Sequence, residues 1–127
     1  MSGMEDQLVE AMDVFQTDVA LWAQRNFGDN SGLGAIGPMM GIVEEVGELY
    51  HTRLKAIQRI REGANKEALD EDEVDALGDI LVYMMDYAGR RKLSLAKCFL
   101  DAWLKVKDRD WVTWPSTGRP PEGHQDG

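Results

Sequence analysis

Four separate stretches of this sequence place apolar residues at steps of three and four, a period that a helix satisfies and a strand does not. The first runs from about Glu5 to Asn26, with Leu8, Met12, Phe15, Val19 and Trp22 on one stripe. Gly28, Gly32, Gly34 and Gly37, together with Asn30 and Ser31, then form a loop. That loop lacks the Lys-Ser/Thr ending of a phosphate-binding P-loop. Pro38 suits the first position of a second helix and Gly63 its end; Val43, Val46, Tyr50, Leu54 and Ile57 supply its stripe. Asn65 suits the cap of a third helix striped by Val74, Leu77, Leu81, Met84 and Ala88. Arg90, Arg91 and Lys92 stand where cations complement its C-terminus. Ser94 suits the cap of a fourth helix, which carries Leu95, Phe99, Trp103 and Val106.

No segment alternates long enough to read as a strand, and the connections are short. These features predict an all-α fold, an antiparallel four-helix bundle. A single domain is expected over residues 1–114, because 127 residues suffice for one core. The stretch 115–127, rich in proline and glycine, reads as a mobile tail.

Composition narrows the function classes. A net charge of −9 argues against wrapping nucleic acid, which demands a basic surface. It leaves room for a nucleotide if divalent cations stand between the two sets of negative charge. The longest apolar run, Ile80 to Met85, falls far short of a membrane span. The chain opens Met1-Ser2-Gly3 and then turns acidic, unlike a signal peptide. Cys98 is the one cysteine, which excludes an intrachain disulfide and fits a reduced, cytoplasmic setting.

The informative residues are acids. In the second helix Glu44, Glu45 and Glu48 crowd one turn, and His51 and Lys55 extend the row by steps of three and four. In the third helix Asp75 and Asp79 lie one turn apart, with Tyr83 a turn further on. Gly47 and Gly78 each precede an acid, and an interior helix glycine costs about 1 kcal/mol relative to alanine, which suggests a backbone or ligand close by. Two carboxylates about 5 Å apart repel by roughly 3 kcal/mol at an effective dielectric of 20. Several in one cleft need a counter-charge, and an all-oxygen donor set favours magnesium, manganese or calcium over zinc. The bland alternative is that acidic helix surfaces simply face water. Asp70, Glu71, Asp72 and Glu73 read that way, as a solvated run at a helix start.

The sequence Glu44-Glu45-Val46-Gly47-Glu48, followed on the next helix by Asp75-Ala76-Leu77-Gly78-Asp79, resembles the MazG-like nucleoside triphosphate pyrophosphohydrolases. These belong to the all-α superfamily that also holds the dimeric dUTPases. The family pattern is Glu-Glu-x-x-Glu and then Glu-x-x-Asp. The resemblance extends from about Trp22 to Trp111, and its closing segment looks like the last helix of the phage-type branch. It implies that Glu45, Glu48 and Asp79 ligate Mg2+, with Mn2+ as a substitute, and that Glu44 ligates or orients the attacking water. The catalytic carboxylates would be Glu44 and Glu45. The family's second-motif glutamate falls at Ala76 here, and the neighbouring Asp75 is the candidate to replace it. The implied reaction is hydrolysis of a (deoxy)nucleoside triphosphate between the α and β phosphates, giving the monophosphate and pyrophosphate. Lys55, Lys105 and Arg109 would reach the phosphates, His51 would be a further substrate-binding residue, Trp22 or Phe27 would offer a platform for the base, and Tyr83 would lie near the sugar. The family assembles as homodimers or homotetramers, and no nucleic acid polymer or membrane is implied.

Three other readings remain open. One is a nucleotide-binding or regulatory helical dimer that has lost turnover, as the alanine at position 76 suggests. Another is a hydrolase of guanosine tetraphosphate-type alarmones. The last is a structural helical dimer whose acidic turns are solvated surface.

Overall fold

The computed structural model describes residues 3–58 and 66–123. Among these the chain forms four helices and no strand: α1 (Gly3–Phe27), α2 (Ile36–Gln58), α3 (Lys66–Arg90) and α4 (Leu95–Val106). The fold is all-α, as the apolar period requires. Pro38 sits in the first turn of α2 rather than at its first position, still among residues whose N–H groups lack an intrahelical partner. The end expected at Gly63 and the cap expected at Asn65 lie outside the described residues. No helix among those described is long and apolar enough to cross a membrane.

Ser94 caps α4 as expected, accepting a hydrogen bond from the Lys97 amide at 3.3 Å. The Ser94 hydroxyl in turn donates to Asp13 of α1 at 2.7 Å. Gln16 of α1 spends both ends of its carboxamide here, accepting from the Leu95 amide and donating to the Leu93 carbonyl. Side chains of α1 thus satisfy the N-terminal groups that α4 cannot pair internally.

α2 packs along α3, α3 packs on α1, and α4 packs on α1 and more lightly on α3; among the described residues the backbone of α2 approaches neither α1 nor α4. α2 and α3 run antiparallel. Glu44, early in α2, shares a pocket with Asp86, late in α3, whereas Lys55, late in α2, shares a cleft with Asp72, early in α3. The end of α3 is tied to the start of the glycine-rich loop by Arg90, which pairs with Asp86 at 2.7 Å and donates to the Gly28 carbonyl at 2.7 Å.

Among the described residues α1, α3 and α4 contact one another, whereas α2 is carried by α3 alone. The residues that become buried are chiefly small: Ala23, Ala76, Ala88 and Ala96, with Val9, Met85 and Leu100. The best-formed cluster joins Val9 to Ala96 and Leu100, with Leu8 and Met12 against it. The apolar stripes read from the sequence are largely outward. Val43, Val46, Tyr50 and Ile57 on α2, and Val74, Leu77, Leu81 and Met84 on α3, are exposed. So are Phe15, Trp22, Phe99, Trp103 and Val106. Buried alanines at 23, 76, 88 and 96 let helices approach closely at those points, and the wider stripes are left facing out.

Beyond α4 the chain turns back on itself. The Asp110 amide donates to Gly118 O, the Trp114 amide to Asp110 O, and the Gly118 amide to Trp114 O. This hydrogen-bonded loop spans the boundary expected after Trp114.

Candidate functional site

α2 presents Glu44, Glu48, His51 and Lys55 along one row, and α3 presents Asp72, Asp75 and Asp79 along another. Because the helices are antiparallel neighbours, the rows border one cleft of about 600 Å³, together with Glu45 and Gly47. Buried Thr52 and Ala76 form its floor. The Thr52 hydroxyl is spent on the Glu48 carbonyl at 3.0 Å, so it seats α2 rather than facing the cleft as a free donor.

Carboxylate oxygens of Glu44, Glu45 and Glu48 lie within 4.8 Å of one another. Opposite oxygens of a magnesium shell stand about 4.2 Å apart, twice the metal–oxygen distance. Three carboxylates this close could share one ion, and the all-oxygen set suits a hard cation. Partial burial raises the Glu45 carboxyl above the ordinary glutamate range, and the charges of Glu48 and Asp79 push it further, helped by a hydrogen bond with Glu48 and by Glu44. The influence of Asp79 on Glu45 crosses from α3 to α2: the two motifs feel one another electrostatically.

A second pocket, of about 530 Å³, adjoins the cleft and shares Glu44 with it. Its walls include Asn26 and Phe27 from the end of α1, Asn30, Ser31 and Leu33 from the glycine-rich loop, and Tyr83 and Asp86 from α3. Asn30 adopts a left-handed backbone (φ 57°) that asparagine tolerates better than most residues. Its side chain donates to Gly34 O at 2.8 Å and lies where a Cβ on Gly37 would stand. The Tyr83 ring lies against α2 at Gly41. Burial raises the Tyr83 phenol above its usual range, as do the nearby charges of Glu45, Glu44, Asp79 and Asp86.

The residues expected at a site divide accordingly. Glu44, Glu45, Glu48, His51, Lys55, Asp75 and Asp79 share the acidic cleft, and Phe27 and Tyr83 line the pocket beside it. Trp22 lines neither; it makes an edge-to-face contact with Phe27, ring centroids 5.4 Å apart. Lys105 and Arg109 lie outside both hollows of the single chain. Arg109 donates to the Thr117 carbonyl, and its guanidinium stands 5.8 Å from the Trp111 ring centroid. The close approach suggested at Gly47 and Gly78 is found instead at Gly37 and Gly41: a Cβ on Gly47 or Gly78 would meet nothing within 4 Å. Asp72, read from the sequence as solvated surface, lines the cleft; its position three residues before Asp75 was the available signal. Asn26, Asn30 and Asp86 carried no comparable spacing signal.

Compared with protein-family models, with curated proteins and with solved structures, the chain matches none.

Proposed function

We propose that this chain is a magnesium-dependent nucleoside triphosphate pyrophosphohydrolase, cytoplasmic and homo-oligomeric, that releases pyrophosphate and a nucleoside monophosphate. The observation that carries this reading is the meeting of two unlike hollows at Glu44: an acidic cleft sized for a metal-bound polyphosphate, and a mixed polar and aromatic pocket sized for a nucleoside. The paired acidic motifs, which resemble those of the MazG-like enzymes, agree with it.

In this reading Glu44, Glu45, Glu48 and Asp79 would hold the cation, with Asp75 supplying the carboxylate that Ala76 lacks. Magnesium, when bound, neutralises charge on the triphosphate and makes water easier to deprotonate. Glu45 accepts the proton of the attacking water, and Glu44 orients that water. The water oxygen bonds to the α-phosphorus while the bond from that phosphorus to the bridging oxygen breaks, and pyrophosphate leaves with the electron pair. Lys55 and His51 line the same cleft and are the groups that would offset its charge. Phe27 and Tyr83 flank the nucleoside. The Asn26 and Asn30 carboxamides each donate once to a backbone carbonyl, and that bond fixes how the amide faces a base.

A second reading, a nucleotide-binding module without turnover, is favoured by Ala76. This residue is buried in the cleft at the position where the resembling family carries a glutamate. Incubation with a panel of triphosphates and magnesium separates the two, with pyrophosphate and orthophosphate assayed independently. Pyrophosphate release that vanishes in Glu48→Ala and Asp79→Ala is the expected result. Orthophosphate alone refutes the proposed bond cleavage, and binding without turnover selects the module.

A further inference from the structure

We propose that Asp86 reads the base of the nucleotide, selecting one that carries an exocyclic amino group over uracil or thymine. This selection presupposes that the pocket beside the acidic cleft receives the nucleoside, as the proposed function has it.

Asp79, Tyr83 and Asp86 follow one another on α3 at steps of four and three, so they share a side of the helix. Asp79 borders the acidic cleft, whereas Tyr83 and Asp86 line the pocket beside it. Asp86 stands seven residues beyond Asp79, about 10 Å along the helix axis. A sugar and then a base extend in that direction from a cation-bound phosphate, which sets Asp86 at the base end of the pocket.

Asp86 is only 6% exposed. Its Oδ1 accepts from Arg90 Nε at 2.7 Å, and Arg90, which does not line the pocket, also donates to the Gly28 carbonyl. Among the described residues no hydrogen bond reaches Oδ2. No fully enclosed side-chain oxygen among them lacks a partner, so Oδ2 opens on the pocket that Asp86 lines. A carboxylate there only accepts, and no lysine, arginine or histidine among the described residues lines the pocket to answer it. The ligand must bring the donor. The hydroxyls of Ser31 and Tyr83 rotate to suit a donor or an acceptor, whereas Asp86 does not. Cytosine, adenine and guanine each present an amino N–H on the base edge. Uracil and thymine present a single N–H between two carbonyl oxygens, and a carboxylate placed against those oxygens is repelled.

Titration calorimetry of the full chain with magnesium and the α,β-methylene analogues of dCTP and dUTP, which resist cleavage between those phosphates, measures recognition apart from turnover. The two ligands differ at one position of the ring, amino against carbonyl. The dCTP analogue should bind at least about tenfold more tightly, because a hydrogen bond to a charged group is worth that much. Asp86→Asn should reverse the order. Arg90 Nε still requires an acceptor, so the new carboxamide turns its oxygen to Arg90 and its NH2 to the pocket, where it donates to the uracil carbonyl. If that variant fails to fold, the wild-type ratio decides. Equal affinities in wild type, or tighter binding of the dUTP analogue, overturn the base assignment, while pyrophosphate release from the parent triphosphates would still uphold the hydrolase. A preference for the dCTP analogue without such release keeps the assignment and overturns the hydrolase. Binding of neither overturns both, and a wild-type preference that survives Asp86→Asn unchanged removes Asp86 from base selection.

Discussion

The Tyr83 ring rests on the α2 backbone at Gly41: a Cβ added there would stand 2.6 Å from both Cδ1 and Cζ of the ring. Both residues line the pocket beside the acidic cleft, so one absent methyl group sets how near α3 comes to α2 at this level. Helix propensity alone favours alanine by about 1 kcal/mol. Overpacking opposes it by about 1–3 kcal/mol. Gly41→Ala is therefore expected to lower stability in urea unfolding, and adding Tyr83→Ala should turn the effect of Gly41→Ala favourable. A Gly41→Ala cost that persists without the ring would place the constraint elsewhere.

Ionisation of Glu45 opposes folding of the metal-free protein, because its carboxyl titrates above the unfolded value. The native state holds that proton more tightly than the unfolded chain. The favourable contribution is accordingly present below the usual value of 4.5 and is lost as pH rises through the raised pKa. Glu45→Gln should raise the melting temperature near neutral pH in chelator and change it little in acid. An equal shift at both pH values contradicts this assignment.

Divalent metal should reverse that order. At about ten times its dissociation constant, a bound ion adds roughly 1.4 kcal/mol to the native state. For a chain of this size that is a rise of about 3–6 °C in melting temperature. Scanning calorimetry with magnesium against sodium at matched ionic strength should show the rise in wild type and less than half of it in Glu45→Gln. Equal rises in both remove Glu45 from the cation's neighbours.

The Arg90–Asp86 pair has side chains only 15% and 8% exposed, so losing one partner strands a charge. Arg90→Met is expected to cost about 3 kcal/mol. It should also release the loop whose first carbonyl Arg90 holds, seen as faster hydrogen exchange at the Gly34 amide, which donates to Asp29 O. An unchanged unfolding midpoint with unchanged exchange would mean that the loop holds itself.

The helices were legible because apolar periodicity and caps are local signals; Ser94 is the clearest case. Each acidic pair was legible as one helix face, because residues one turn apart share a side, whereas only the packing of α3 on α2 brings the two pairs to one cleft. Asp72 was not legible: in a run of four acids, only the neighbouring helix decides which one faces inward. The outward set of the stripes was not legible, because a hydrophobic period shows which residues share a helix face without showing what lies against that face. The glycine signal misplaced the close contact. Gly47 and Gly78 drew attention through their acidic neighbours, yet contact depends on what lies across the helix, and at Gly41 that is a tyrosine ring 42 positions away.

Electron paramagnetic resonance of free Mn2+ during titration tests most directly whether α2 and α3 share one cation. Glu48→Gln and Asp79→Asn should each weaken binding by about tenfold or more, and the double variant should lose less than the two separate losses combined, as for ligands of one ion. Asp79→Asn that binds Mn2+ as tightly as wild type, with Glu48→Gln impaired, would confine the ion to α2 and contradict the shared site.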